Sequence, residues 1–194
     1  ARPLAKANAI PPSAFSFNVD GGRCEACKGE GFETVEMQFL ADVRLSCPVC
    51  GGKRFKPHVL AVEYAGVDIA QLLDTTVDDA LRLFDSQKEI QRTLGPVSRL
   101  GPGYLRLGQP PSTLSGGEAQ RLKLARALCE KLDRALLILA EPSAGLHSHE
   151  VGLLLRALDD VLRAGGSVLL VDHDLEVIRA ADWVIDLGPQ GGAG

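Results

Sequence analysis

The sequence predicts an α/β fold carrying a small metal-held module, and three observations predict it. Two short apolar runs, Leu136-Leu137-Ile138-Leu139 and Val168-Leu169-Leu170-Val171, read as parallel strands buried on both faces. Helical patterns precede, separate and follow them, so helix and strand alternate from about Gly116 onward. Upstream, Cys24 and Cys27 make one Cys-x-x-Cys pair and Cys47 and Cys50 another, with 19 residues between the pairs.

Bulk properties narrow the function classes. A chain of 194 residues is long enough for one ordinary domain plus a small satellite, and length alone does not separate those options. Its net charge of -4 excludes a histone-like polycation while leaving room for a basic patch on one face. No apolar run approaches the roughly 18 to 20 residues that span a bilayer, and the opening ARPLAKANAIPPSAF lacks the apolar centre of a signal peptide. The expectation is a cytoplasmic protein with no membrane partner. In that compartment five cysteines do not make a disulfide framework, because cellular thiols keep such bridges reduced.

The elements follow in order. Residues 1–14 read as an irregular entry segment and 15–57 as the metal-binding module, with one alternating run, Thr34 to Phe39, that fits a short strand. Val59 to Tyr64 reads as another strand. Thr76-Val77-Asp78-Asp79 resembles a capping box opening a helix with apolar positions at Ala80, Leu81 and Phe84, and a polar helical stretch follows to about Leu94. Gly101-Pro102-Gly103 breaks that pattern, and Gln109 to Thr113 forms a loop. Beyond it the sequence predicts a helix over 116–132, a strand over 135–140, a helix over 149–163 stopped by Gly165-Gly166, and a strand over 167–172. A short helix over 175–180 and a strand over 183–187 complete the alternation. The tail, 189–194, is expected to be flexible.

The cysteine spacing lets four thiolates converge on tetrahedral Zn(II), with glycines at 29, 31, 51 and 52 tolerating the angles of tight knuckles. The other reading is four buried or redox-active thiols. Few large apolar residues lie between 18 and 56, so metal ligation of Cys24, Cys27, Cys47 and Cys50 would supply what the local core lacks. Four thiolates leave no open coordination position, which assigns the zinc a structural role. Arg23, Lys28, Arg44, Lys53, Arg54 and Lys56 could make a phosphate-facing surface, diluted by Glu25, Glu30, Glu33 and Glu36; the other reading is a merely solvated face.

Leu114-Ser115-Gly116-Gly117-Glu118-Ala119-Gln120-Arg121 is the most specific stretch. Ser115 can cap a helix while Glu118 reaches back three residues, and two glycines leave amides unshielded at the helix's positive end. Such an end binds phosphate.

LSGGEAQR resembles the signature of the ABC ATPase family, whose signature serine and glycine amides clamp the γ-phosphate of ATP held on the opposite nucleotide-binding domain. The resemblance implies that Ser115, Gly116 and Gly117 complete a site on a facing domain, with Glu118 and Gln120 on the supporting helix. It also makes 58–132 a helical signature subdomain, and 133–188 part of a P-loop NTPase core. Leu136 to Pro142 resembles the Walker B strand, in which Glu141 would polarise the attacking water and the family's Mg(II)-binding Asp is replaced by Ala140. Ser143 to His147 resembles the D-loop, although the family segment more often reads Asp-Glu-Pro-Thr at its start. His173, 32 residues beyond Glu141, falls where the family places its switch histidine. No G-x-x-x-x-G-K-[ST] occurs, so the resemblance implies a piece of a larger architecture with its P-loop upstream, one that does not bind ATP well alone.

Phe15 to Val19, Gly21 to Cys27, Tyr104 to Gln109 and Ala181 to Pro189 are similar to the UvrA family of DNA-repair ABC ATPases. That likeness implies the C-terminal part of a second ATPase half or a paralogue of it, structural zinc, ATP with Mg(II), and binding to damaged duplex DNA in nucleotide excision repair. It further implies a second nucleotide-binding domain, a homodimer and a nuclease-loading subunit as partners. The alternative is a hydrolysis-deficient paralogue acting as a structural or DNA-binding scaffold. A local likeness of Cys24 to Gly31 to chaperone-type cysteine repeats leaves LSGGEAQR unexplained.

Overall fold

A computed structural model describes residues 10–35, 43–130 and 134–188. The chain divides into two compact units, Ala1–Thr75 and Thr76–Gly194. The tail expected at 189–194, and most of the entry segment 1–14, lie outside the described residues.

In the first unit a 3-10 turn at Pro12–Phe15 turns Ala14 inward against Phe55 and Val59, with Ile10, Phe17, Leu60 and Leu73 packed around them. Backbone closes over this small core: Gly22 accepts from Lys56 N–H at 2.9 Å and Cys24 donates to Arg54 at 2.7 Å. Gly22 is demanded by that closeness, because a β-carbon there would stand 1.8 Å from the Ala14 carbonyl oxygen. Strands β1 (Phe32–Val35) and β2 (Val43–Ser46) pair antiparallel from Phe32↔Ser46 to Val35↔Val43. The strand expected over 34–39 is thus found from Phe32 to Val35, and 36–42 lie outside the described residues.

The strand expected over Val59–Tyr64 is corrected: Pro57–Leu60 is a helix, α1. Pro57 sits at its first turn, where the fixed φ suits a helix and the missing N–H costs nothing. Tyr64 and Val67 then exchange backbone hydrogen bonds of 2.8 and 3.1 Å across Ala65 and Gly66, both left-handed. Helix α2 (Ile69–Asp74) begins on a reciprocal box in which Asp68 accepts from Gln71 N–H and Gln71 from Asp68 N–H.

In the second unit α3 (Val77–Leu83) starts as expected, with Thr76 accepting from Asp79 N–H at 3.1 Å. Helix α4 (Lys88–Arg99) runs past the end expected at Leu94 and through Pro96. Proline cannot donate to the carbonyl four residues back. That carbonyl, on Arg92, lies 3.6 Å from Cys129 Sγ, whose own helix carbonyl, on Ala125, is at 3.2 Å. The Cys129 thiol thus stands among the backbone carbonyls of Arg92, Thr93 and Ala125.

Helices α5 (Gly116–Ala127) and α6 (Ser148–Arg163) and strands β3 (Leu136–Ala140) and β4 (Ser167–Val171) build the rest. Along α6, Val151, Leu154, Leu158 and Val161 recur at helical spacing and are buried. The main core joins Val77, Val97, Leu100, Leu124, Leu154 and Leu158, and the inner faces of the strands pack on it. Gly166 donates to Val161 and Gly165, at φ 88°, to Leu162, so the glycine pair stops α6 as the sequence predicts. The short helix over 175–180 is found as α7 (Leu175–Ala180).

Strands β3 and β4 are parallel, Leu136↔Ser167 through Ala140↔Val171. Burial on both faces, however, is corrected. Leu136, Ile138, Leu169 and Val171 are 61, 62, 48 and 62 % exposed, because among the described residues the helical layer covers only the opposite face. The strand expected over 183–187 is likewise absent. Trp183 and Leu187 stand 84 and 81 % exposed, and a strand needs a neighbouring ladder for its backbone groups, which this segment does not find among the described residues.

Candidate metal centre and nucleotide-facing edge

The four cysteines meet. Their sulfurs lie within 4.8 Å of one another, with Cys24, Cys27 and Cys47 buried and Cys50 half-buried. A Zn–S bond of about 2.3 Å gives a tetrahedron with edges of about 3.8 Å; Cys27 and Cys50 Sγ are 3.7 Å apart. The donor set therefore fits Zn(II) without rearrangement of the backbone, and its closed shell fits a structural ion.

Two knuckles of one design hold the sulfurs. Left-handed residues occur at the first, second and fourth positions after each pair: Lys28, Gly29 and Gly31, then Gly51, Gly52 and Arg54. Glu30 donates to Cys27 O at 2.9 Å and Lys53 to Cys50 O at 3.1 Å. Gly31 N–H points to Cys27 Sγ at 3.2 Å, and Arg54 N–H serves Cys50 in the same way. The glycines at 29, 31, 51 and 52 were legible in the sequence; Lys28 and Arg54 were not. Arg54 stands over the Phe17 ring at 5.2 Å. Backbone N–H donation from Cys50 holds the Cys47 thiol down to about 7, whereas burial pushes Cys50 up to about 12. A dication at the centre favours the charged form of all four. Several of the basic residues are engaged locally, Arg23 with Asp20, Lys56 with Glu25 and Arg44 over Phe32.

In the second unit, the first turn of α5 is capped at both ends of a box. Ser115 Oγ accepts from Glu118 N–H at 3.2 Å, and Glu118 Oε2 accepts from Ser115 N–H at 2.7 Å. Tyr104, which the sequence did not single out for this role, donates its hydroxyl to Glu118 Oε1. That bond and the Ser115 N–H hold the Glu118 carboxyl below its ordinary value. Arg121 is buried and pairs with Glu150 at 3.1 Å, which in turn accepts from His147 N–H and fixes the start of α6.

Among the described residues, Gly116 and Gly117 answer to no need for backbone angle or space. Neither has a positive φ; a β-carbon on Gly116 would meet nothing within 4 Å, and one on Gly117 only Ala144 O at 3.7 Å. Gln120 does not point away from the chain: its Nε2 donates to Ala140 O at 2.9 Å.

The pairing Ala140↔Val171 brings the ends of β3 and β4 together, so Glu141 and His173 leave the sheet at one edge, beyond the strand ends where α/β ligands bind. Glu141 takes a left-handed φ of 47° and donates to Val171 O at 2.7 Å. Asp172 clamps this edge. It accepts from Ser143 Oγ at 2.6 Å, Ser143 N–H at 3.1 Å, and the N–H groups of His173 and Asp174 at 2.7 and 3.0 Å. Burial raises its pKa, but these donors outweigh burial and the carboxyl lies below its ordinary value.

No protein-family model matches the chain. Among curated proteins it is 48% identical over 193 residues to UvrABC system protein A of Rhizobium meliloti (strain 1021), a match covering 99% of this chain and 20% of that protein. Over nearly its whole length, the chain belongs to the UvrA family. The UvrABC system protein A of Aquifex aeolicus (strain VF5) is 50% identical over 191 residues, covering 98% of this chain and 21% of that protein. The solved structure of UvrA2 from Deinococcus radiodurans superposes with a TM-score of 0.87 at 47% identity, covering 96% of this chain and 23% of that one. The chain thus spans about a fifth of the length of the UvrA relatives it matches. At the two positions where the resemblance implies a departure from the ABC pattern, the Ser143 hydroxyl donates to Asp172, and the Ala140 side chain carries no oxygen for a metal.

Proposed function

We propose that this chain supplies the signature tip, the Walker B edge and the zinc module of an ABC-type ATPase that recognises damaged duplex DNA in nucleotide excision repair. The observation that carries the reading is the glycine pair at 116 and 117. Glycine weakens a helix relative to alanine, and neither position needs it for backbone angle or for space. The bare amides instead suit a phosphate arriving from outside the unit. In this reading Ser115, Gly116 and Gly117 grip the γ-phosphate of ATP on a second nucleotide-binding domain, and Glu118 holds the tip in shape. Glu141 polarises water and His173 hydrogen-bonds the γ-phosphate.

Zinc, if held by Cys24, Cys27, Cys47 and Cys50, would keep the two knuckles rigid and so fix the surface of this module that meets DNA. A homodimer and a nuclease-loading subunit are the partners this reading entails. Ala140 favours a second reading, in which the site on this chain's own edge holds nucleotide but turns it over slowly or not at all, and the protein acts as a DNA-binding scaffold.

The test uses the longer protein that contains this stretch. Damage-dependent DNA binding is measured with and without zinc, and with Ser115→Arg, which blocks the tip. The reading requires both changes to lower the preference for damaged duplex; indifference to both would sink it. Ala140→Asp separates the two readings. A gain in ATP turnover identifies the missing carboxylate as the limit, and no gain favours the scaffold only if turnover is also absent in the unmodified protein.

A further inference from the structure

We propose that Gln120 is a positioning residue for Glu141, tying the phosphate-sensing helix to the backbone that aims the carboxylate. The inference rests on reading Glu141 as the group that polarises water. The peptide joining Ala140 to Glu141 is planar, with its C=O and N–H directed oppositely. Both ends of this one plane are held: Ala140 O accepts from Gln120 Nε2 at 2.9 Å, and Glu141 N–H donates to Val171 O at 2.7 Å. Rotation of the plane about its long axis must break both bonds.

The next torsion is the φ of Glu141, at 47°, a left-handed conformation that a β-carbon disfavours. Relaxation to a negative φ is resisted on the upstream side by the doubly held plane and downstream by Ala144 N–H, which donates to Glu141 O at 3.1 Å. Of these three anchors, two belong to the sheet and its turn. Gln120 alone comes from α5.

That origin gives the bond its consequence. Gly116, Gly117 and Gln120 lie on α5 and Ser115 caps it, so the tip and Gln120 move as a body. The tip also lies beside the turn, since a β-carbon added at Gly117 would stand 3.7 Å from Ala144 O. A displacement of the tip when phosphate docks is therefore transmitted to the plane preceding Glu141. Occupancy of the facing nucleotide site is felt at this chain's own carboxylate through one amide.

The test is amide hydrogen exchange, read by mass spectrometry on peptides covering Glu141, in the zinc-loaded longer protein carrying Gln120→Met, Gln120→Glu or Gln120→Lys. Methionine keeps length without a donor, glutamate keeps shape without a donor at neutral pH, and lysine restores one. The Glu141 amide is expected to exchange about tenfold faster in the first two, consistent with loss of one backbone-directed bond, and to regain protection with lysine. Amides of Leu154, Leu158 and Val161 in the core should be unaltered. Unchanged protection at Glu141 with methionine overturns the inference, as does an equal loss across the core amides. Failure of the functional reading is separate: Glu141→Gln leaving ATP turnover intact in the longer protein would remove the carboxylate's role without altering the exchange pattern.

Discussion

Replacing Gly116 and Gly117 with alanine should strengthen the fold and weaken the function, and the structure sets the size of both effects. Neither position has a positive φ; a methyl at 116 meets open space, and one at 117 makes ordinary contact with Ala144 O. Alanine is favoured over glycine in a helix by about 0.5 to 1 kcal/mol. Both sites lie in the first turn, so the lower figure applies to each and the pair contributes about 1 kcal/mol. With a urea dependence of about 2 kcal/mol per molar, the midpoint rises by about 0.5 M. The assay is urea unfolding of the zinc-saturated chain followed by far-ultraviolet circular dichroism. In the longer protein the same substitutions crowd the amides, and loss of one charge-assisted contact of about 1.5 to 3 kcal/mol weakens ATP-dependent association by roughly ten- to a hundredfold. A fall in the urea midpoint would refute the reasoning, because it would mean that the glycines serve the chain's own fold.

Three further outcomes are expected. Cys47→Ala removes the most deeply buried ligand, so zinc binding measured by a chromophoric chelator should fall by orders of magnitude and the β1–β2 amide signals should collapse; retention of tight metal would rule out the four-sulfur site. Asp172 has a folded pKa below its ordinary 3.8, so its contribution to stability is present above that value and is lost as pH falls through the lowered folded value. Asp172→Asn should cost about 1 to 3 kcal/mol at neutral pH and flatten the acid limb of a stability–pH profile; an unchanged limb would show that Asp172 is not a source of it. Tyr104→Phe removes the hydroxyl that is the main cause of the lowered Glu118 pKa, so the Glu118 carboxyl carbon should titrate at higher pH in an NMR titration, and a fixed midpoint would discount the bond.

What the sequence disclosed depended on how local the signal was. Ser115 and Glu118 lie three residues apart, and the cysteine pairs carry their own turn glycines, so both sites were readable from spacing. The role of Gln120 was not, because its partner Ala140 belongs to another element and is a backbone oxygen that any residue supplies. Asp172 escaped for the same reason, its main donor being Ser143, 29 residues away. The misread strands have a common cause. Val59 to Tyr64 and Trp183 to Leu187 carry strand-like side chains, but composition does not disclose whether a neighbouring ladder is present. In the first, Pro57 also started a helix; in the second, a run suited to pairing has no neighbour among the described residues.

Two parallel strands with aliphatic groups bare on one side make a surface that water wets poorly. Leu136, Ile138, Leu169 and Val171 line it in register, and Trp183 and Leu187 add to the oily area of the same unit. A purified preparation of this stretch alone is therefore expected to scatter light increasingly with concentration and on warming. Lysine or glutamate at Ile138 and Leu169 would suppress that tendency while leaving the helix-covered side intact, which makes these two positions the handles for obtaining a well-behaved sample.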